Sequence, residues 1–77
     1  MTLDKHKLDG VPQITAKTLP ADEFNELLAN AGYQRAGSAS AKGNRVKVWW
    51  IHPQFRRIES IYSPDKAIAI TAYHIAQ

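Results

Sequence analysis

A chain of 77 residues is one domain, near the lower size at which a single hydrophobic core holds a fold without help. The help is not a disulfide, because there is no cysteine, and that absence fits a reducing cytoplasm. An apolar content of 44% with 22% charged residues argues against disorder, and no run is long enough to span a membrane.

The formal charge of +3 and a pI near 9.5 suit an RNA, DNA or acidic protein partner. The opening M-T-L-D-K-H-K-L-D-G lacks the apolar core of a signal peptide. His6, His52 and His74 are far apart and no metal-ligand spacing supports them, so neither metal nor cofactor is expected. A cytoplasmic protein with no membrane association is the expectation.

Residues 1–17 read as an N-terminal arm laid against the sheet, or equally as a loose tail or a segment that orders with a partner. They have no clear period, and Gly10 and Pro12 punctuate them, with Val11, Ile14 and Ala16 suited to a short extended edge segment. A helix follows over residues 20–31. Pro20 suits its first turn, where a missing N–H removes no helical bond, and Asp22 and Glu23 sit near the positive end of the dipole. Phe24, Leu27, Leu28 and Ala31 share one apolar face, and Gly32 stands where a left-handed cap ends a helix. One such helix cannot bury its face alone, so a sheet must supply the rest of the core.

Residues 33–76 supply that sheet. Tyr33 to Ala41 is a small, polar strand in which Gly37 permits a bulge. Gly43 and Asn44 form the two turn residues of a hairpin leading into Val46–Ile51, the most apolar strand. Val46, Val48 and Trp50 point one way and Lys47 and Trp49 the other, so one tryptophan is core and its neighbour covers the second face or meets a partner. After a His52-Pro53 corner, Arg57 to Tyr62 is a third strand. Ser63-Pro64-Asp65-Lys66 is a turn and Ala67 to Ile75 a last strand, with Ile68 and Ile70 on one face and Thr71, Tyr73 and Ile75 on the other. The expected fold is a single small α+β domain over residues 1–77, one amphipathic helix packed on a four-stranded antiparallel meander.

Tight turns fix register. Closure at Gly43-Asn44 sets Arg35 opposite His52. Closure at Ser63–Lys66 sets Arg57 opposite Ala72 and Arg56 opposite Tyr73, with His74 one step beyond. Arg35, His52, Arg56, Arg57, Tyr73 and His74 then collect at one end of the sheet. Such a set matches metal-free RNA cleavage: arginines hold the phosphate, histidine moves a proton, tyrosine positions or donates one, and the RNA supplies its own 2′-OH. Arg57, His74, Tyr73 and His52 are the candidate catalytic residues. Arg35, Lys42, Arg45, Lys47, Trp49 and Arg56 are the candidate contacts to nucleic acid or a partner, Trp49 by stacking on a base or anchoring a protein interface. The same residue types also belong at exposed strand ends for solubility alone.

The stretch R-R-I-E-S-I-Y-S-P-D-K-A-I-A-I-T-A-Y-H resembles the C-terminal meander of the RelE/BrnT kind of small toxin endoribonucleases. That resemblance implies an antiparallel sheet with Arg56, Arg57, Tyr73 and His74 at catalytic positions, and an antitoxin partner. The helix–Ala31-Gly32-Tyr33–hairpin order also resembles the HicA toxin group. Where that group carries a catalytic His in a Gly-Ser-His context, this chain reads A-G-S-A-S-A, which argues against that activity. Two functions stay open: an RNA-binding or ribonuclease toxin-like protein, or a non-enzymatic interaction module, such as a phage- or plasmid-encoded inhibitor of a target protein or an accessory subunit. Either leaves room for a homodimer.

Overall fold

The computed structural model describes residues 2–75. Five strands form one antiparallel sheet: β1 (Leu19–Pro20), β2 (Gln34–Ser40), β3 (Val46–Ile51), β4 (Ile58–Tyr62) and β5 (Ile68–His74). Across the sheet they lie in the order β1-β5-β4-β3-β2, with the helix α1 at Ala21–Asn30. The α+β class is as expected. The strand count is not: a fifth strand pairs Leu19 with Ala69 and Pro20 with Ile68. Two residues carry no period, so nothing in their pattern announces a strand. Proline is tolerated there because β1 is an edge. The extended segment expected around Val11, Ile14 and Ala16 forms no strand. The expected end of the sheet at residue 76 lies outside the described residues.

The helix begins one residue later than expected, since Pro20 is extended (φ −53, ψ 138) and occupies the cap position. The first helical amide, Ala21 N–H, donates to the carbonyl of Ala67 at 2.8 Å, which ties the helix start to the strand-β5 turn. At the other end Gly32 adopts φ +96, and Tyr33 N–H donates to Leu28 O at 3.0 Å. This is the left-handed stop that the Ala31-Gly32 pair predicts. Phe24 and Leu28 are completely buried, each contributing about 1.5–3 kcal/mol of hydrophobic burial.

Beneath the helix lie Val48 and Trp50 of β3, Ile58, Ser60 and Tyr62 of β4, and Ala69 and Ala72 of β5. Ser60 is a fully buried polar residue, and its hydroxyl resolves the conflict by relaying a hydrogen bond. It accepts from Trp50 Nε1–H at 3.0 Å and donates to Val48 O at 3.0 Å. Trp50 is therefore the core tryptophan and Trp49 the one on the second face, where it is half-buried.

Both hairpins close differently from the expected tight turns. The first has a three-residue loop, Lys42–Asn44, closed by Ala41 N–H to Arg45 O at 2.7 Å, with Gly43 and Asn44 both left-handed. A bulge between Arg35 and Gly37 shifts the register again, so Arg35 faces Trp50, not His52. The second hairpin closes with Ser63 N–H to Ile68 O at 2.9 Å, because Asp65 accepts from the Ser63 hydroxyl and the Ala67 amide and sets a longer loop. A bulge in β5 adds one more step. Tyr73 faces Glu59 and His74 faces Ile58, not the arginine positions of the shorter turn. That bulge also replaces the expected faces of β5. Ala69 and Ala72 are core, and Ile68 is exposed.

The N-terminal arm is the second cover of the core. It starts with a short 3-10 turn, Leu3–Lys5, and buries Leu3, Leu8 and Val11. Leu3 N–H donates to Lys17 O at 2.8 Å, and Thr71 Oγ1 donates to Thr2 O at 3.3 Å. Further on, Asp9 N–H donates to His74 Nε2 at 3.0 Å, and Tyr33 Oη donates to Asp9 O at 2.7 Å. Among the described residues no helix is long and apolar enough to cross a membrane.

Candidate nucleic-acid interface

The register of the central strands builds a row on the face away from α1. Gly37 of β2 faces Trp49 of β3, Trp49 faces Glu59 of β4, and Glu59 faces Tyr73 of β5. Trp49 Nε1–H donates to Glu59 Oε1 at 2.9 Å, and the Tyr73 hydroxyl donates to the other carboxylate oxygen. One carboxylate thus fixes two aromatic side chains in place. The Glu59 hydrogen bond, with burial and the carboxylate charge after it, pushes the Tyr73 phenol up to about 12, so it remains a neutral donor. Gly37 stands against the Trp49 ring, where an added Cβ would make an ordinary contact at 3.7 Å. The Lys47 ammonium lies over the Trp49 ring, 5.8 Å from its centroid.

Beside Tyr73 the sheet face runs into a groove of about 510 Å³ lined by Lys5, His6, Lys7, Arg56, Tyr73 and His74. The His6 ring meets Tyr73 edge-on at 5.7 Å. Lys5, Lys7 and Arg56 are exposed, so three cations surround a surface floored by an aromatic ring. The arm delivers two of them. Lys5-His6-Lys7 is a visible basic run in the sequence, but its destination depends on the arm crossing beside β5, which no local pattern specifies.

Of the residues expected to gather at the sheet end, several do meet, but in a closed arrangement. His74 is pinned: Nε2 accepts the Asp9 amide proton, and Nδ1 lies 3.0 Å from Arg56 O. A carbonyl can only accept, so this ring is the neutral Nδ1–H tautomer. Asp9 Oδ2, 3.5 Å from Nε2, then faces a nitrogen without a proton. His52 is held equally. Its Nδ1 accepts from Gln54 N–H, and its Nε2 lies 3.0 Å from Ala31 O, one of the carbonyls that a helix end leaves without a partner. Its ring packs on Tyr33 and Phe55 at 4.7 and 4.4 Å. Tyr33, itself buried, has its phenol pushed up to about 12, mainly by burial and then by the Asp9 charge. His52 and His74 are thus linked through Tyr33 and Asp9 into a framework that closes the sheet end.

The arginines divide. Arg56 lines the groove. Arg57 is exposed and its carbonyl accepts from Ile75 N–H at 2.9 Å. Arg35 lies on the helix side, lining a separate cavity with Trp50 and Tyr62. Lys42 and Arg45 remain at the exposed hairpin tip. Among the described residues no group of three His, Asp or Glu side chains is placed to hold a metal ion.

No family model, curated protein or solved structure matches this chain.

Proposed function

We propose that this protein is a small RNA-binding module that takes a single strand across the open sheet face. The observation that carries this reading is the continuity of the Trp49–Glu59–Tyr73 row with the groove lined by Lys5, Lys7 and Arg56. Trp49 and Tyr73 stand two strands apart, about 10 Å, which suits two bases on two aromatic supports. The cations beside them suit the phosphates. The tautomers of His52 and His74 support binding over cleavage, because neither ring has a nitrogen free to exchange a proton with substrate. A toxin-like role would then act by occupying RNA.

Equilibrium binding of a short fluorescent single-stranded RNA at low salt tests this reading. Tyr73→Ala combined with Lys5→Ala and Lys7→Ala is expected to weaken binding by about tenfold or more, since one stacking contact alone contributes about 1–3 kcal/mol. Equal affinity of variant and parent would refute the site. RNA cut by the parent but spared by a His74→Gln variant would refute the non-cleaving reading.

A second reading, a protein-interaction module, is favoured by the free edge of β2. This seven-residue strand ends the sheet, has six exposed residues and carries one charge, Arg35. Unpaired strand edges accept an extended segment from another chain. A partner protein recovered by the parent and lost on Ser38→Pro, with RNA affinity unchanged, is the result this reading requires.

A further inference from the structure

On the opposite side of the sheet from the aromatic row, α1 and the β2–β3 hairpin border a half-open cavity of about 100 Å³, at whose rim Asp22, Arg35 and Lys66 are exposed. That exceeds the ~15 Å³ one water needs and suits one small organic molecule. Its apolar wall is Val46, Val48 and Trp50 of β3. Three charged side chains join them: Asp22 from α1, Arg35 from β2 and Lys66 from the β4–β5 turn.

These charges do not satisfy one another. Among the described residues the only acid–base contact within 4.0 Å is His74 with Asp9, so Asp22, Arg35 and Lys66 border the cavity without ion-pair partners. Nor is the placement a by-product of a regular strand. The bulge between Arg35 and Gly37 sets Arg35 opposite Trp50 on the helix side. Lys66 projects from a residue with φ +63, a left-handed conformation that a lysine adopts at some cost.

We propose that this cavity binds a small apolar α-amino acid as its zwitterion. The ligand's carboxylate is held by Arg35 and Lys66, its ammonium by Asp22, and its side chain lies on Val46, Val48 and Trp50. Two opposite charges on an apolar body match two cations and one carboxylate around an apolar floor. Asn25, whose Oδ1 accepts from the Tyr62 hydroxyl at 2.5 Å, still has amide protons to offer the carboxylate. A bare anion meets Asp22 as a repulsive neighbour, and a bare amine meets two cations, so each half-ligand is disfavoured by the group its missing charge would have satisfied.

The test is amide NMR of the isotope-labelled full chain titrated with L-valine, isovalerate or isobutylamine, following the Trp50 indole N–H and the Asn25 side-chain amide. L-valine is expected to give saturable shifts at both. Isovalerate and isobutylamine, each lacking one charge, are expected to bind about tenfold more weakly or less, the scale of a lost charged hydrogen bond. Arg35→Gln and Asp22→Asn, each first shown to keep the dispersed spectrum of the folded chain, are expected to weaken L-valine to a similar degree. Absence of saturable shifts, binding of isovalerate as tight as that of L-valine, or full affinity in both variants would overturn the proposal. RNA affinity does not enter these outcomes, because the ligand site and the aromatic row lie on opposite faces.

Discussion

Each tyrosine in the chain donates its hydroxyl to a specific acceptor, and all three phenols are raised. Tyr33 and Tyr73 are pushed up to about 12, the first mainly by burial and the second mainly by its bond to Glu59. Tyr62 is also raised, mainly by burial. A phenol whose folded pKa exceeds its unfolded value favours the folded state while it stays protonated. That contribution is fully present below pH 10 and is lost as pH rises through 12. Tyrosinate absorbance should therefore appear late in an alkaline titration and together with unfolding. In Glu59→Gln, one tyrosine should titrate earlier while the fold persists.

Gly10 illustrates a second constraint at this scale. It adopts φ +78, and a Cβ there would sit 2.7 Å from the Phe55 ring. Gly10→Ala should cost about 2–3 kcal/mol in urea denaturation, combining backbone strain with overpacking. Neither the tyrosine partners nor this contact was legible in the sequence, since each joins residues far apart in the chain.

At the scale of elements, the arm is the part whose behaviour departs furthest from its composition. Leu3, Leu8 and Val11 lack any helical or strand period, yet they belong to the core beside Phe24 and Leu28. Leu3→Ala should cost about 2–4 kcal/mol, the range for a large buried aliphatic, whereas a loose tail would give none. Urea denaturation distinguishes the two. The helix, by contrast, was legible almost to the residue, because its periodicity, acidic start and glycine stop are all local signals. Strand β3 was legible too, from alternation alone. The registers were not. Each depended on how a hydroxyl, a carboxylate or a left-handed residue lengthened a turn, and each bulge moved side chains by a further step. The candidate site suffered from this most. The sheet-end gathering of histidines was anticipated, but their ring nitrogens are taken: His74 by Asp9 of the arm and by Arg56 O, His52 by Gln54 N–H and Ala31 O, none of which the turn-based pairing included.

For the whole molecule, charge and architecture favour one face. The helix covers one side of the sheet and the arm runs beside β5, where it also meets Thr71 and Tyr73, so the aromatic row and its neighbouring cations remain available on the other side. If Lys5, Lys7, Arg56 and Lys47 are the phosphate contacts, the logarithm of RNA affinity should fall against the logarithm of salt with a slope of about −2 to −3. A slope near zero in a salt titration would mean that stacking alone holds the strand. Lys5→Ala with Lys7→Ala should flatten the slope, whereas Tyr73→Ala should lower affinity without changing it.

The hydrogen bonds from Thr71 to Thr2 and from Asp9 to His74 also impose an order in time. Strand β5, synthesised after the other four strands, lies between β1 and β4 and holds the arm that precedes them all. A nascent chain that has emerged only through β4 has the helix but not Ala67, whose carbonyl receives its starting amide, nor the histidine that receives the arm. Such contacts across sixty-five and sixty-nine positions must wait until β5 has been made, and long-range closure of this kind slows folding. The protein should therefore remain protease-sensitive while tethered to the ribosome by a short linker and become resistant abruptly once His74 clears the exit tunnel.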